Sequence, residues 1–166
     1  MTRMNHRVLP RETKAVLHAR VRKILAALKH AYPDAHCELD FVDPFQLTAA
    51  TILSAQCTDV RVNMVSPELF RRWPDAYALA EATQEEVEAV IRSTGFFRNK
   101  ARSLIGLARA LVADHNGVVP RTMAELRPLP GIGRKTANCV LGNAYGLSEG
   151  ITVDTHVLRL SRLLGF

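Results

Sequence analysis

Two short stretches of the sequence bring together side chains suited to chemistry: Leu129-Pro130-Gly131-Ile132-Gly133-Arg134-Lys135-Thr136-Ala137-Asn138, and Val153-Asp154-Thr155-His156-Val157. Two glycines one residue apart, just before a helix, let a phosphate approach bare backbone N–H groups where the helix dipole also favours an anion. Such a contact is to a nucleic-acid backbone and carries no sequence information. Lys135 then stands in the first turn as a candidate nucleophile, provided its amine is unprotonated when it attacks. A helix over 134–145 is about 18 Å long at roughly 1.5 Å per residue. The eight residues 146–153 extend at most about 28 Å, so Asp154 can return to the hairpin end. There it would stabilise developing positive charge or assist proton transfer. Taken singly, the same residues have plainer readings. A first-turn lysine is ordinarily solvated, and an aspartate before a helix is ordinarily an N-cap, which still leaves one carboxylate oxygen available.

The elements that must position these residues are helical. A short helix over about 122–127 precedes the glycine hairpin, and the next helix has a core stripe of Ala137, Val140, Leu141, Ala144 and Tyr145. In 98–115, Ala101, Leu104, Ile105, Ala108, Leu111, Val112 and His115 fall on one face, with Arg98, Arg102 and Arg109 off it. Leu17, Val21, Leu25 and Leu28 mark a helix over about 12–31. Asp43-Pro44 opens an apolar helix through Leu53, Thr58-Asp59 opens another, and Thr83 with Glu86 forms a capping box for 83–93. A further helix fits 75–81, and Pro67 predicts a bend in 58–70 or its division into two pieces. Cys37–Phe41 alternates too briefly for a strand and reads as a loop. The fold class is therefore all-α.

Composition agrees with a folded chain. Of 166 residues, 48% are hydrophobic and 23% charged, which argues against disorder, collagen and simple coiled coil. The net charge of +6 is lopsided: the first thirty residues hold eight Lys or Arg against Glu12, leaving the rest at −1. Residues 1–10 read as an arm for phosphate contacts, and 12–31 as a helix with a solvated charged face. Cys37, Cys57 and Cys139 are too few and too scattered for a disulfide framework or a metal motif. With no signal-like or membrane-spanning apolar run, a cytoplasmic, nucleoid-associated protein is expected, without a membrane partner and monomeric.

The hairpin and the Val153–Val157 run, together with Ser54-Ala55-Gln56-Cys57-Thr58-Asp59 and Gly95-Phe96-Phe97-Arg98-Asn99-Lys100-Ala101, resemble motifs of the helix-hairpin-helix DNA glycosylases. Within that group they are most similar to the endonuclease III family, and the four motifs occur in the family's order across residues 40–160. The resemblance implies a glycosylase fold with a helical barrel and an incomplete second helical domain. On that frame, residues 1–36 belong to the second domain, 37–147 form the barrel with the hairpin at about 122–146, and 148–166 begin the remainder of the second domain. It further implies a bifunctional glycosylase and abasic-site lyase that removes oxidised pyrimidines from duplex DNA, with Lys135 as Schiff-base nucleophile and Asp154 as catalytic carboxylate. Gln56 would fill the void left by a flipped base and Phe96 would wedge beside it, while Leu129, Gly131, Gly133, Arg134 and Thr136 would contact DNA.

The family carries a 4Fe–4S cluster on four closely spaced cysteines that would follow Phe166. No metal or cofactor is therefore expected in this chain itself, and reduced stability and turnover are expected of these 166 residues alone. His156 reads as a packing or hydrogen-bonding residue and Asn138 as a support for the hairpin. Two alternatives stay open, a non-catalytic helix-hairpin-helix module that binds duplex DNA and an oxoguanine-type glycosylase. A helical scaffold would explain the periodicity but not the hairpin.

Overall fold

A computed structural model describes residues 12–166. The arm expected over residues 1–10 lies outside them. The described residues form helices α1 (Lys14–Ala31), α2 (Pro44–Leu53), α3 (Asp59–Arg72), α4 (Ala76–Ala80), α5 (Gln84–Ile91), α6 (Phe97–His115), α7 (Met123–Leu126), α8 (Arg134–Tyr145) and α9 (Thr155–Leu164), with a 3-10 turn at Arg92–Thr94. Among these residues there is no strand, and Cys37–Phe41 is a loop.

The caps legible in the sequence start these helices. The Asp43 and Thr58 side chains accept from Gln46 N–H and Arg61 N–H, and Thr83 and Glu86 form both halves of the capping box. Of the bend or division expected at Pro67, the division does not occur, since α3 is a single helix with Pro67 inside it. Val62 and Leu69, on either side of the proline, are 0% and 1% exposed. Burial stabilises by about 1.5–3 kcal/mol per large aliphatic side chain, enough to offset the roughly 3 kcal/mol cost of an internal proline.

The chain divides into two compact units. In the unit Cys37–Val157, α6 packs against α4, α5 and α2, and α2 packs against α8. Leu47, Ala49, Ala50 and Leu53 of α2 and Leu104, Leu107 and Leu111 of α6 are fully buried. The apolar α2 thus forms a floor under the hairpin end of α8.

The other unit joins the described residues up to His36 with Leu158–Phe166. No side chain of α1 is fully buried. Its half-buried face is Leu17, Val21 and Ile24, whereas Leu25 and Leu28 are exposed, so the stripe is narrower and rotated from the one expected. Arg20 ties this unit together. Its guanidinium bonds Glu12 and the carbonyls of Leu164 and Gly165, and stacks 5.1 Å from the centre of the Phe166 ring.

Candidate active site

The hairpin between α7 and α8 is built by two glycines with different duties. Gly131 has φ +78°, and a Cβ there would lie 2.9 Å from Ser103 Cβ and 3.1 Å from Ile52 Cδ1. It is a glycine because the turn is left-handed and pressed against α6 and α2. Gly133 has ordinary extended φ, caps α8 without a side-chain hydrogen bond, and has nothing within 4 Å of where a Cβ would stand. Its open N-terminal amide face is the one available to a phosphate. Leu129 and Ile132 are 6% and 5% exposed, so the Leu129 side chain anchors the hairpin in the core and only its backbone is left to meet a ligand. Arg134 is exposed and Thr136 half-buried.

Asp154 returns to this end of α8 as the chain length allows. Its Oδ1 accepts from Val157 N–H at 2.8 Å, capping α9, while Oδ2 lies 3.7 Å from Lys135 Nζ. The two carboxylate oxygens therefore divide the work, one holding the helix and the other facing the amine. The Val157 hydrogen bond, with help from the charges of Lys135 and His156, holds the Asp154 carboxyl below its usual range. An ionised carboxylate beside the amine suits stabilisation of positive charge better than storage of a proton. The Lys135 side chain is 61% exposed and so remains accessible to a large ligand.

A cleft of about 280 Å³ lies alongside, lined by Thr51, Ile52, Ala55, Gln56, Phe96, Asn99, Lys100, Ser103, Gly131 and Thr136. Lys135 and Asp154 are not among its walls, but Thr136 follows Lys135 directly. Gln56 (φ +52°) and Phe96 (φ +48°) are both left-handed and exposed. For residues other than glycine this costs about 1–2 kcal/mol each. The third such residue described, Asn116, ends α6 as its C-cap, whereas Gln56 and Phe96 stand exposed beside one cleft, as positions held for a purpose other than stability do. A larger hollow of about 660 Å³, lined by Thr122, Arg127 and Glu149, is wide open and holds neither feature.

One residue of this site was missed by sequence reasoning. Lys100, in the first turn of α6, is 5% exposed, and its Nζ donates to the carbonyls of Leu53 (2.7 Å) and Thr94 (2.8 Å). Burial pushes its pKa down, opposed by Cys57. A lysine three residues into a charged-looking segment gives no sign of burial in the sequence. Asn138 is the other surprise, since its Oδ1 is buried without a partner, close to Gly150 in the loop that leads to Asp154.

The thiols do not fit an iron–sulfur cluster. Cys37, Cys57 and Cys139 are each half-buried and free, three where four are needed, and no group of three or more His, Cys, Asp or Glu among the described residues is placed to hold a metal. No described helix is long and apolar enough to cross a membrane.

Residues 49–166 match the family model of the HhH-GPD superfamily base excision DNA repair proteins. The chain is 57% identical over 146 residues to the endonuclease III of Synechocystis sp., covering 88% of this chain and 67% of that protein. It is 45% identical over 134 residues to the endonuclease III of Bacillus subtilis, covering 81% and 61%. A solved structure of a trapped covalent intermediate between endonuclease III and DNA superposes with a TM-score of 0.82 at 46% identity, over 86% of this chain and 67% of that one. The chain spans about two thirds of the length of these relatives.

Proposed function

The chain belongs to the HhH-GPD superfamily of base excision DNA repair proteins, and from that premise we propose that it is a DNA glycosylase with abasic-site lyase activity, acting on oxidised pyrimidines in duplex DNA. The observation that carries this reading is the pairing of exposed Lys135 with Asp154 at 3.7 Å, at the end of a helix whose capping glycine is open to a phosphate. Hydrogen bonds to the DNA backbone from the hairpin set the register. The damaged nucleotide leaves the stack, at a cost of a few kcal/mol of unstacking and unpairing. Gln56 and Phe96 enter the space it vacates.

Lys135 Nζ then bonds to sugar C1′ as the glycosidic bond breaks, and the base departs with that electron pair and takes up a proton. Asp154 Oδ2 faces the positive charge that develops on the sugar. The nitrogen gives up a proton, and its lone pair then forms C=N as the C1′–O4′ bond breaks and O4′ takes up a proton, which gives an open-chain iminium. Removal of a C2′ proton then expels the 3′ phosphate by β-elimination, leaving a cut strand. A DNA substrate supports a location with the chromosome, in keeping with the cytoplasmic expectation.

The 280 Å³ cleft, just below the roughly 300–1,000 Å³ common for small-molecule sites, suits a single base rather than a larger ligand. Borohydride trapping on abasic-site duplex tests the reading. A covalent adduct that disappears with Lys135→Gln is the expected result, whereas duplex binding without any adduct would leave only a binding module.

A further inference from the structure

Gln56 and Phe96 lie forty residues apart in sequence, at the ends of different elements, yet they border the same cleft in the same unusual backbone conformation. Such conformations persist only where the surroundings over-determine them. The Gln56 turn is fixed on one side by the end of α2, where Ser54 N–H bonds Ala50 and Cys57 N–H bonds Ser54. The Phe96 turn precedes α6, whose first turn closes through Lys100 N–H to the Phe96 carbonyl.

One side chain reaches both turns. The Lys100 ammonium donates to the Leu53 carbonyl, three residues before Gln56, and to the Thr94 carbonyl, two residues before Phe96. No carboxylate pairs with it among the described residues. A cation in the first turn of a helix also works against the helix dipole. A residue selected for stability alone would not be a buried, unpaired charge at this position. We propose that Lys100 is a positioning residue that couples the Gln56 and Phe96 turns, so that the two side chains enter DNA as one preset pair.

This proposal rests on the glycosylase reading and adds a division of labour. A paired lesion must be forced out of the stack, and that step needs both side chains in place. A preformed abasic site has no base to unpair and depends on them less.

In the intact protein, Lys100→Met should lower removal of thymine glycol from duplex at least tenfold while changing strand cleavage at a preformed abasic site by less than threefold. In the free protein, amide hydrogen exchange should quicken at residues 55–57 and 95–97 together and stay unchanged in α8. With Gln56→Ala and Phe96→Ala already present, Lys100→Met should have no further effect on thymine glycol removal, because nothing is left to position.

Equal losses on the two substrates, faster exchange at only one turn, or a full additional loss in the altered background would each overturn the proposal. If Lys100→Met does not fold, Lys100→Gln, which keeps a donor group, is held to the same three comparisons. Absence of both activities from the unaltered protein would overturn the glycosylase reading itself, whereas the exchange measurement judges the coupling independently of activity.

Discussion

Two lysines stand in first turns of helices that follow glycine-containing bends, one at the start of α6 and one at the start of α8. Both sit where the helix dipole disfavours a cation. Lys100 is 5% exposed and spends its donors on two carbonyls of neighbouring elements. The Lys135 side chain is 61% exposed and faces a single carboxylate oxygen at 3.7 Å. The same local sequence signal thus yields a buried clamp and an accessible amine. What separates them is packing. The Lys100 side chain is enclosed between the end of α2 and the 3-10 turn, whereas the Lys135 side chain, on a helix that also packs on α2, stays exposed beside the loop bearing Asp154.

Substitutions at the accessible end should have the largest effects on chemistry. Lys135→Gln removes the nucleophile, and strand cleavage at abasic sites should fall by about 10³-fold or more, measured in single-turnover assays with folding checked by circular dichroism. Asp154→Asn retains an oxygen to cap α9 but loses the charge. Base removal should fall by about 10²–10³-fold, typical of losing one preorganised electrostatic contact, with thermal stability nearly unchanged. If stability drops as far as activity, the two oxygens are not divided as the geometry indicates.

The hairpin glycines sharpen the contrast on a smaller scale. Gly131→Ala meets both a left-handed φ and a 2.9 Å contact with Ser103, and should cost about 1–3 kcal/mol in thermal or urea unfolding. Gly133→Ala should stay within about 0.5 kcal/mol of the parent yet weaken duplex binding in a gel shift.

The smallest effect concerns pH. The Asp154 carboxyl is depressed below its usual 3.8 in the folded state. Its ionised form therefore contributes fully above that value and is lost only as pH falls through the lower folded one. Between pH 8 and 4, the ratio of Asp154→Asn to parent activity should stay flat. A ratio approaching one near pH 6 would place the carboxyl's titration far above where the hydrogen bond from Val157 sets it.

Much of this was legible in the sequence because it is local. Asp43, Thr58 and Thr83 announce helix starts through side chains that bond within three residues, and the three-and-four spacing of apolar residues in 98–115 marks the buried face of α6. Lys135 and Asp154 were singled out by the resemblance of their motifs to the endonuclease III family, and the chain-length argument added that Asp154 can return to the hairpin end. Contacts between distant segments left no such trace. Nothing near Lys100 in sequence says that Leu53 O and Thr94 O converge on it, and nothing near Gly131 says that Ser103 and Ile52 press on it while Gly133 stands clear. Pro67 left a bend or a division open, and the choice of an undivided α3 has no local trace either, since the burial that offsets the proline comes from other helices.

The shared duty of Asp154 also furnishes a spectroscopic reporter. Because Val157 N–H donates to the same carboxyl group that faces Lys135, any event that neutralises or displaces that carboxylate should register as a chemical-shift change in one backbone amide. A residue away from the reacting atoms, labelled with nitrogen-15, would thus let the charge state of the site be followed through a titration or a turnover without touching either side chain.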